Sequence, residues 1–330
     1  MKRLAVIILN WNGIDLLRRL LPTVAANTIS DEADLIVADN GSTDGSAEYV
    51  AREFPQVRLI RFTENLGFAE GYNRAIAETG YPYTVLLNSD VETPAGWWRP
   101  LLDFMEGNPD VGAAQPKIKS FARRDSFEYA GAAGGYLDRL GYPYCRGRFF
   151  DVVEKDEGQY DGAPADVTWA SGAALTVRTD IYLKVGGLDR DFFAHMEEID
   201  LCCRMLRAGY RVCCVPSSEV YHIGGASLPQ GNPKKVYLNF RNNLLLLHKN
   251  LPPRRGRRIL FWRRLADSLA FFMFLAKLDF PSARAIIRAH NDFRRMRGNY
   301  TDLPEADILS RQPGSRRMAV LDRYLLRRRK

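Results

Sequence analysis

The chain has 330 residues, 46% apolar and 26% charged, a balance that fits a globular protein with a sizeable core and excludes a disordered or fibrous chain. Its net charge of +8 is unevenly placed: residues 251–330 carry 20 Lys+Arg against 7 Asp+Glu, whereas residues 1–250 carry 27 against 32. The basic character therefore belongs to the tail and not to the body. The five cysteines, Cys145 and the adjacent pairs Cys202-Cys203 and Cys213-Cys214, form neither a disulfide framework nor a zinc-type spacing, so small buried thiols in a reducing compartment are expected. Lys2 and Arg3 precede an apolar run too short for a signal-peptide core, and no stretch approaches the roughly 20 apolar residues of a transmembrane helix.

In chain order, a strand over 4–9 is followed by Leu16, Leu17, Leu20 and Leu21 at helical spacing, predicting a helix over 14–26. A second strand over 35–38 runs into Asp39-Asn40-Gly41-Ser42-Thr43-Asp44-Gly45-Ser46, with Ser46 as expected cap of a helix over 47–54. A strand over 57–62, a helix over 69–78 and a strand over 84–87 complete an alternation that predicts an α/β fold. Its sheet is expected to be mostly parallel, with helices on both faces. Past Asp90, Thr93-Pro94 is expected to open a helix. Residues 125–165, rich in Gly and Tyr, read as loops and hairpins, and 167–177 as a strand. A helix over 197–208 ends at Gly209, a last strand over 211–215 leads to Tyr221-His222, and from about 233 the chain reads as helical.

Five places carry candidate chemistry. The run Val85-Leu86-Leu87-Asn88-Ser89-Asp90 ends in an amide and a carboxylate two residues apart, hence on one side of an extended backbone. Strand ends of this kind deliver side chains into the crevice of an α/β sheet, and two oxygen donors there suit a hard divalent cation carrying a phosphate-bearing ligand. Asn-x-Asp is also a common turn. Asp39, at the second strand end, suits a nucleobase or ribose, and the absence of Gly-x-Gly-x-x-Gly or Gly-Lys-Ser/Thr loops counts against dinucleotide and P-loop proteins. In Asn65-Leu66-Gly67-Phe68-Ala69-Glu70-Gly71-Tyr72-Asn73, Gly67 permits a tight turn whose following amides can face a diphosphate. Glu197-Glu198-Ile199-Asp200 either complements a helix dipole or supplies a general base. His222 is structural or gives a nitrogen to the same metal as Asp90.

Taken together these segments resemble the family 2 glycosyltransferases, particularly the bacterial rhamnosyltransferase-like branch. The carriers, besides those quoted, are Val6-Ile7-Ile8-Leu9-Asn10-Trp11-Asn12-Gly13, Ser171-Gly172-Ala173-Ala174, Gly186-Gly187-Leu188-Asp189 to Arg204, and Tyr221-His222, over about residues 3–250. The resemblance implies a GT-A fold, a nucleotide-diphosphate-sugar donor, a divalent metal (Mg²⁺ or Mn²⁺), inversion at the anomeric carbon and a glycan or lipid-linked acceptor. By position it implies Asp39 at the base and Asn10, Asn12, Asn65, Gly67 and Asn73 along the donor. Asn88 falls at the ribose and metal, Asp90 and His222 at the metal. Glu198 is the implied catalytic base, with Glu197 as alternative. Asn88 departs from the family's Asp-x-Asp, which leaves Asp90 most of the metal contact. Arg241, in Asn239-Phe240-Arg241-Asn242-Asn243, adds positive charge near the diphosphate or makes a surface salt bridge.

The expected organisation is a GT-A domain over 1–250, with a nucleotide-sugar half over 1–118 and an acceptor half over 119–250, followed by a basic helical extension over 251–330. Ile259-Leu260-Phe261-Trp262 and the apolar run 269–276 lie among Arg254, Arg255, Arg257, Arg258, Arg263, Arg264 and Lys277. That pattern reads as an interfacial anchor on an anionic membrane, to which Arg327-Arg328-Arg329-Lys330 adds about 1 kcal/mol per basic residue near the surface. The other reading packs these helices on the body or on a second copy, as a homo-oligomer. No nucleic-acid module is present. A cytoplasmic protein, peripheral on the cytosolic face of the inner membrane, is expected. One rival, a sugar-nucleotidyltransferase, calls for a Gly-rich basic loop where Asn10-Trp11-Asn12-Gly13 stands. Another, a non-catalytic nucleotide- or glycan-binding protein, does not need Asp39, Asp90, Glu198 and His222 together.

Overall fold

The run LAVIILN is apolar at successive positions, which only a strand covered on both faces can bury. In the computed structural model it forms β1 (Leu4–Asn10), followed by α1 (Ile14–Thr28), β2 (Ala33–Asn40), α2 (Ser46–Glu53), β3 (Arg58–Phe62), α3 (Gly67–Ala77) and β4 (Tyr83–Leu87). The structure describes residues 2–149, 152–224, 232–307 and 309–315; Gly225 and the basic end Arg327-Arg328-Arg329-Lys330 lie outside them. β1 pairs in parallel with β2 and β4, and β2 with β3, so all four carboxyl ends share one edge. Alternate side chains of β1 serve opposite layers: Val6 and Ile8 join Leu17, Leu21 and Val24 of α1, whereas Ala5 and Ile7 join Tyr72, Ala75 and Ile76 of α3.

The second half adds β5 (Val91–Glu92), α4 (Arg99–Gly107), β6 (Val111–Ser120), a small sheet of β7 (Gly135–Leu137), β8 (Pro143–Cys145), β9 (Arg148–Phe149) and β10 (Val152–Val153), and then β11 (Ala165–Asp166), β12 (Ala174–Arg178), α5 (Thr179–Lys184), α6 (Glu197–Arg207) and β13 (Arg211–His222). The large sheet runs β11-β13-β6-β12-β4-β1-β2-β3, with β5 paired to β13. β12 is antiparallel to both β4 and β6, and β13 is parallel to β6. The sheet is thus mostly parallel, as expected, with a reversed strand near its middle.

Three expectations are corrected. The helix after Thr93-Pro94 begins only at Arg99, because tertiary hydrogen bonds hold the intervening turn: Asn27 Nδ2 to Thr93 O (2.6 Å), Trp97 Nε1 to Thr28 Oγ1 (3.2 Å) and Ser218 Oγ to Trp97 O (2.5 Å). The strand expected over 167–177 starts at Ala174. Residues 167–173 leave it for bonds such as Trp169 Nε1 to Tyr136 O (3.0 Å) and Ser171 N to Gln115 Oε1 (2.8 Å). The last strand reaches His222, passing Pro216 at a break in register between Val215 and Glu219, the kind of irregularity that admits proline to a strand.

The tail is α7 (Pro233–Asn250), α8 (Pro253–Ala276) and α9 (Phe280–Met296). Leu244 to Leu247 are buried at four successive positions, the mark of a helix enclosed on every side, and α7 packs against α6, α8 and α9. Buried polar groups fix the rest: Arg263 stacks 3.7 Å over the Tyr142 ring and pairs with Asp267, which accepts from His290 at 3.0 Å. All five cysteines are buried and free; burial pushes the Cys202 and Cys214 thiols up to about 12, so neither is poised as a nucleophile.

Candidate active site

The reversal of β12 brings its start, and the ends of β6 and β13, to the edge where β1, β2 and β4 end. That edge is where an α/β sheet opens its ligand crevice, and it gathers most of the residues singled out above.

On the β1–β2 side, Asp39 is buried. Its Oδ1 accepts from Asn10 Nδ2 at 3.1 Å and its Oδ2 from Ser42 N at 3.0 Å, leaving lone pairs on each oxygen. Asn10 Nδ2 also donates to Ser46 Oγ at 2.8 Å. Ser46 is therefore an acceptor inside α2 and not its cap, a correction: Gly45 (φ 80) occupies the cap position. Asp44 receives Ser46 N on one oxygen and Ile14 N on the other. Burial raises its carboxyl, but these hydrogen bonds outweigh that and hold it below the usual range. Asn12 (φ 49) accepts from Thr43 N at 2.8 Å, which leaves neighbouring Trp11 57% exposed on the rim. Sequence reasoning passed over this aromatic, although its place after the first strand was a signal.

Asn65 Oδ1 accepts from Gly67 N (2.9 Å) and Asn40 Nδ2 (3.0 Å), and Asn40 Oδ1 from Leu66 N (2.9 Å). Asn40 was also overlooked; it ties the end of β2 to the turn before α3. Gly67 adopts φ 78, a conformation glycine takes without strain. Asn73 is not brought to this group. Its amide donates to Leu188 O (2.8 Å) and accepts from Leu188 N (2.9 Å) and Tyr182 Oη (2.5 Å), bracing the turn at 186–188.

Pairing of β5 with the end of β13 sets Val91 opposite His222, and so sets Asp90 Oδ1 3.0 Å from His222 Nε2. A third group, Glu128, places Oε2 3.4 Å from His222 Nδ1. That contact is electrostatic and poorly aligned, for Nδ1 has no hydrogen-bond partner. Nothing local in the sequence marks Glu128, which arrives through the loop that returns to β6 after Ser120. Burial alone would depress the imidazole, but hydrogen bonding to Asp90 and the Glu128 carboxylate lift it to about 10. Asn88 is half-buried beside them, its backbone N bonded to Ala173 O at 3.0 Å. Among the described residues no ready-made cluster of three or more His, Cys, Asp or Glu metal ligands is assembled. The carboxylate, imidazole and amide nevertheless match the donor set of a divalent ion such as Mn²⁺.

At the head of α6 stand three acids with different environments. Asp200 is fully buried, yet Arg204 and Lys249 outweigh the burial and hold its carboxyl below the usual range. Glu197 and Glu198 have no such partner, and the Oε2 of each is buried without a hydrogen bond. Burial, and for Glu197 also the charge of its neighbour, raises both carboxyls, that of Glu198 to about 7. Glu198 Cβ lies 3.7 Å from where a side chain on Gly172 would begin, with Phe68 at 3.8 Å, which puts it beside the segment that meets Asn88. Burial lowers the Lys235 ammonium, on α7, below its ordinary value against the opposing charge of Glu128. Arg241 donates through Nη2 to Asp191 O and Phe192 O, both at 2.9 Å, and through Nε to Asn242 Oδ1 at 2.8 Å; its guanidinium is engaged with backbone behind the crevice.

The chain is similar to known proteins in sequence and in fold. The family described as glycosyl transferase family 2 matches residues 5–152. The N-acetylglucosaminyl-diphospho-decaprenol L-rhamnosyltransferase of Mycobacterium tuberculosis is 31% identical over 224 residues, covering 62% of this chain and 71% of that protein. Rhamnosyltransferase WbbL of Escherichia coli is 38% identical over a shorter 56 residues, 17% of this chain and 21% of that one. In fold, the chain is similar to GalNAc-T7 solved with UDP, GalNAc and Mn²⁺ (TM-score 0.58, 13% identity, covering 99% of this chain and 57% of that one). It is also similar to a mannosyltransferase from Pyrobaculum calidifontis solved with GDP-Man and Mn²⁺ (TM-score 0.53, 17% identity, 98% and 81%).

Proposed function

The chain belongs to the family 2 glycosyltransferases, with a GT-A fold and rhamnosyltransferase relatives, and on that premise we propose that it is an inverting enzyme of cell-surface polysaccharide synthesis. It moves a sugar, rhamnose as first candidate, from a nucleotide-diphosphate-sugar to a hydroxyl of a glycan or lipid-linked acceptor. The observation that carries this is the pair of uncompensated buried carboxylates, Glu197 and Glu198, on the crevice edge that also holds Asp39 and the Asp90–His222 pair. Residues 1–118 serve the donor and 119–250 the acceptor.

In this reading Asp39 accepts from the base, and the turn at Asn65–Gly67 with the first amides of α3 faces the diphosphate. Asp90, His222 and Asn88 would hold a divalent ion, which supplies charge neutralisation for the departing nucleoside diphosphate. Glu198 takes the proton of the acceptor hydroxyl as it attacks. Its raised carboxyl suits that work, since a base is most effective with a pKa near the working pH. With no enzyme nucleophile in this scheme, one displacement inverts the anomeric centre. A panel of nucleotide-sugars screened by thermal shift with Mn²⁺ tests the assignment: the cognate donor, expected to be dTDP-rhamnose, raises Tm because it binds only the folded chain. No shift with any nucleotide-sugar would overturn it.

The extension over 251–330 places the enzyme at a membrane. One face of α8 exposes Phe261, Trp262, Leu265, Leu269, Phe272 and Met273, with Leu269 at 67% and Phe272 at 63%. Arg254, Arg257, Arg258, Arg264 and Lys277 are exposed along the same helix, and its one acid, Asp267, is buried. An apolar stripe ringed by cations alone fits an anionic lipid surface. Among the described residues no helix is long and apolar enough to cross a membrane; in this reading the stripe lays α8 in the interface on the cytosolic face. The full chain is expected to float with phosphatidylglycerol vesicles and to lose them when Leu269→Glu and Phe272→Glu are combined. Undiminished flotation of that variant, or dimers dispersed by it, would transfer the stripe to another role.

A further inference from the structure

The backbone leading into α6 is held in costly conformations. Six non-glycine residues among those described have positive φ, and three of them, Phe193, His195 and Met196, fall within four positions immediately before Glu197. Phe193 (φ 64, ψ −56) is the centre of a γ-turn closed by Ala194 N to Phe192 O at 2.7 Å, the rarer and strained kind. Met196 (φ 75, ψ −5) then hands the chain to the helix. Such residues are strained and persist only where their surroundings over-determine them.

Two consecutive side chains of α7 provide that determination. Arg241 Nη2 donates to the carbonyls of Asp191 and Phe192. Asn242 Nδ2 donates to those of Phe192 (2.9 Å), Ala194 (2.9 Å) and His195 (2.6 Å). The bond from Arg241 Nε to Asn242 Oδ1 fixes which way the amide points, so that donors alone meet the converging carbonyls. Asn242 is fully buried. The flanks are held from the same helix: Lys249 bonds Asp189 (2.6 Å) and Asp200 (2.9 Å), and Asn250 bonds Asp200 (2.8 Å). The clamped loop also carries Phe193, whose ring lies 3.7 Å from where a side chain on Gly67 would begin, so it touches the donor turn as well as the base.

We infer that Arg241 and Asn242 are positioning residues, which hold the strained 192–196 backbone in place and thereby aim the Glu197–Glu198 carboxylates into the crevice. The inference rests on the reading of that pair as the base. It also makes α7 part of the catalytic apparatus and not merely a bridge to the tail.

The test uses the full chain and the variants Asn242→Ala, Arg241→Lys and Arg241→Gln. Amide exchange in a peptide covering 189–200 is expected to quicken about 10-fold or more in Asn242→Ala, while peptides from β1 to β4 keep their protection. With dTDP-rhamnose as probe, kcat falls about 10–100-fold, since a displacement near 1 Å at the reacting groups costs that much, and KM stays within about threefold. Arg241→Lys, which keeps the charge and the reach to donate to these carbonyls, retains more activity than the shorter, neutral Arg241→Gln. Unchanged exchange over 189–200, an unchanged kcat, or a loss expressed in KM alone overturns the inference; if Asn242→Ala does not fold, the two Arg241 variants decide it by the same readings. If Glu197→Gln and Glu198→Gln leave turnover intact, the base assignment has failed, and the exchange measurement still reports whether the clamp exists.

Discussion

Glu198→Gln is expected to lose sugar transfer by about 10²–10⁴-fold, the usual range for a general base, while binding the donor as before. It is also expected to make the protein more stable at pH 8. The Glu198 carboxyl is raised from an ordinary value of 4.5 to about 7, chiefly by burial. A group whose pKa is raised on folding contributes stability in full below its unfolded value, and loses that contribution as pH climbs through its folded value. For Glu198 the loss runs from about pH 4.5 to about pH 7, so above neutrality the folded chain holds a carboxylate it would rather keep protonated. Glutamine removes that penalty, of order 1–3 kcal/mol given the coupling to Glu197. Tm should rise by about 1–4 °C at pH 8 and hardly at all at pH 4.5. Calorimetric melts at the two pH values, beside a transfer assay, check both halves. Equal Tm at both, or near-normal transfer, would remove Glu198 from the role. Glu197→Gln is the control: stabilised likewise, it should keep most of its activity.

The residues that could be read from the sequence were those marked by a change of local pattern. Asp39 and Asp90 each end or follow an apolar strand, which alone put them at the crevice edge of a parallel sheet, whereas Glu197 and Glu198 were marked only as opening an amphipathic helix. Glu128 had no such mark. It sits in a Gly- and Tyr-rich stretch whose course is fixed by pairing with β6 and by Gly224, where a side chain would begin 2.6 Å from Glu128 Oε1. Arg241 shows a different limit. Its motif stood out, but whether a guanidinium faces a diphosphate or backbone carbonyls depends on where α7 docks, and that is set by Leu244 to Leu247 packing in a core assembled from distant segments. Likewise residues 167–173 are apolar enough for a strand, and only the pull of Gln115 and Tyr136 on Ser171 and Trp169 takes them out of one.

Asp90→Ala is expected to abolish the effect of Mn²⁺ on nucleotide binding, with dTDP affinity in Mn²⁺ falling at least about 100-fold toward its metal-free level. The magnitude follows from the donor set. Changes to groups that only orient a ligand cost 10–100-fold in metal affinity, and Asp90 is the sole carboxylate of the Asn88-Ser89-Asp90 corner. Asn88 offers an oxygen without charge, and His222 accepts a metal only after giving up its proton, which the present pair with Asp90 at 3.0 Å favours keeping. Titration calorimetry of dTDP with and without Mn²⁺ reads the difference, and an equal Mn²⁺ effect in parent and variant would sink the assignment. The reverse substitution separates charge from geometry. Asn88→Asp restores the second carboxylate of the family pattern at a half-buried position, so it should tighten Mn²⁺ binding while leaving metal-free dTDP affinity the same or lower. If both variants behave so, Asp90 anchors the metal and the neutral amide at 88 weakens its hold.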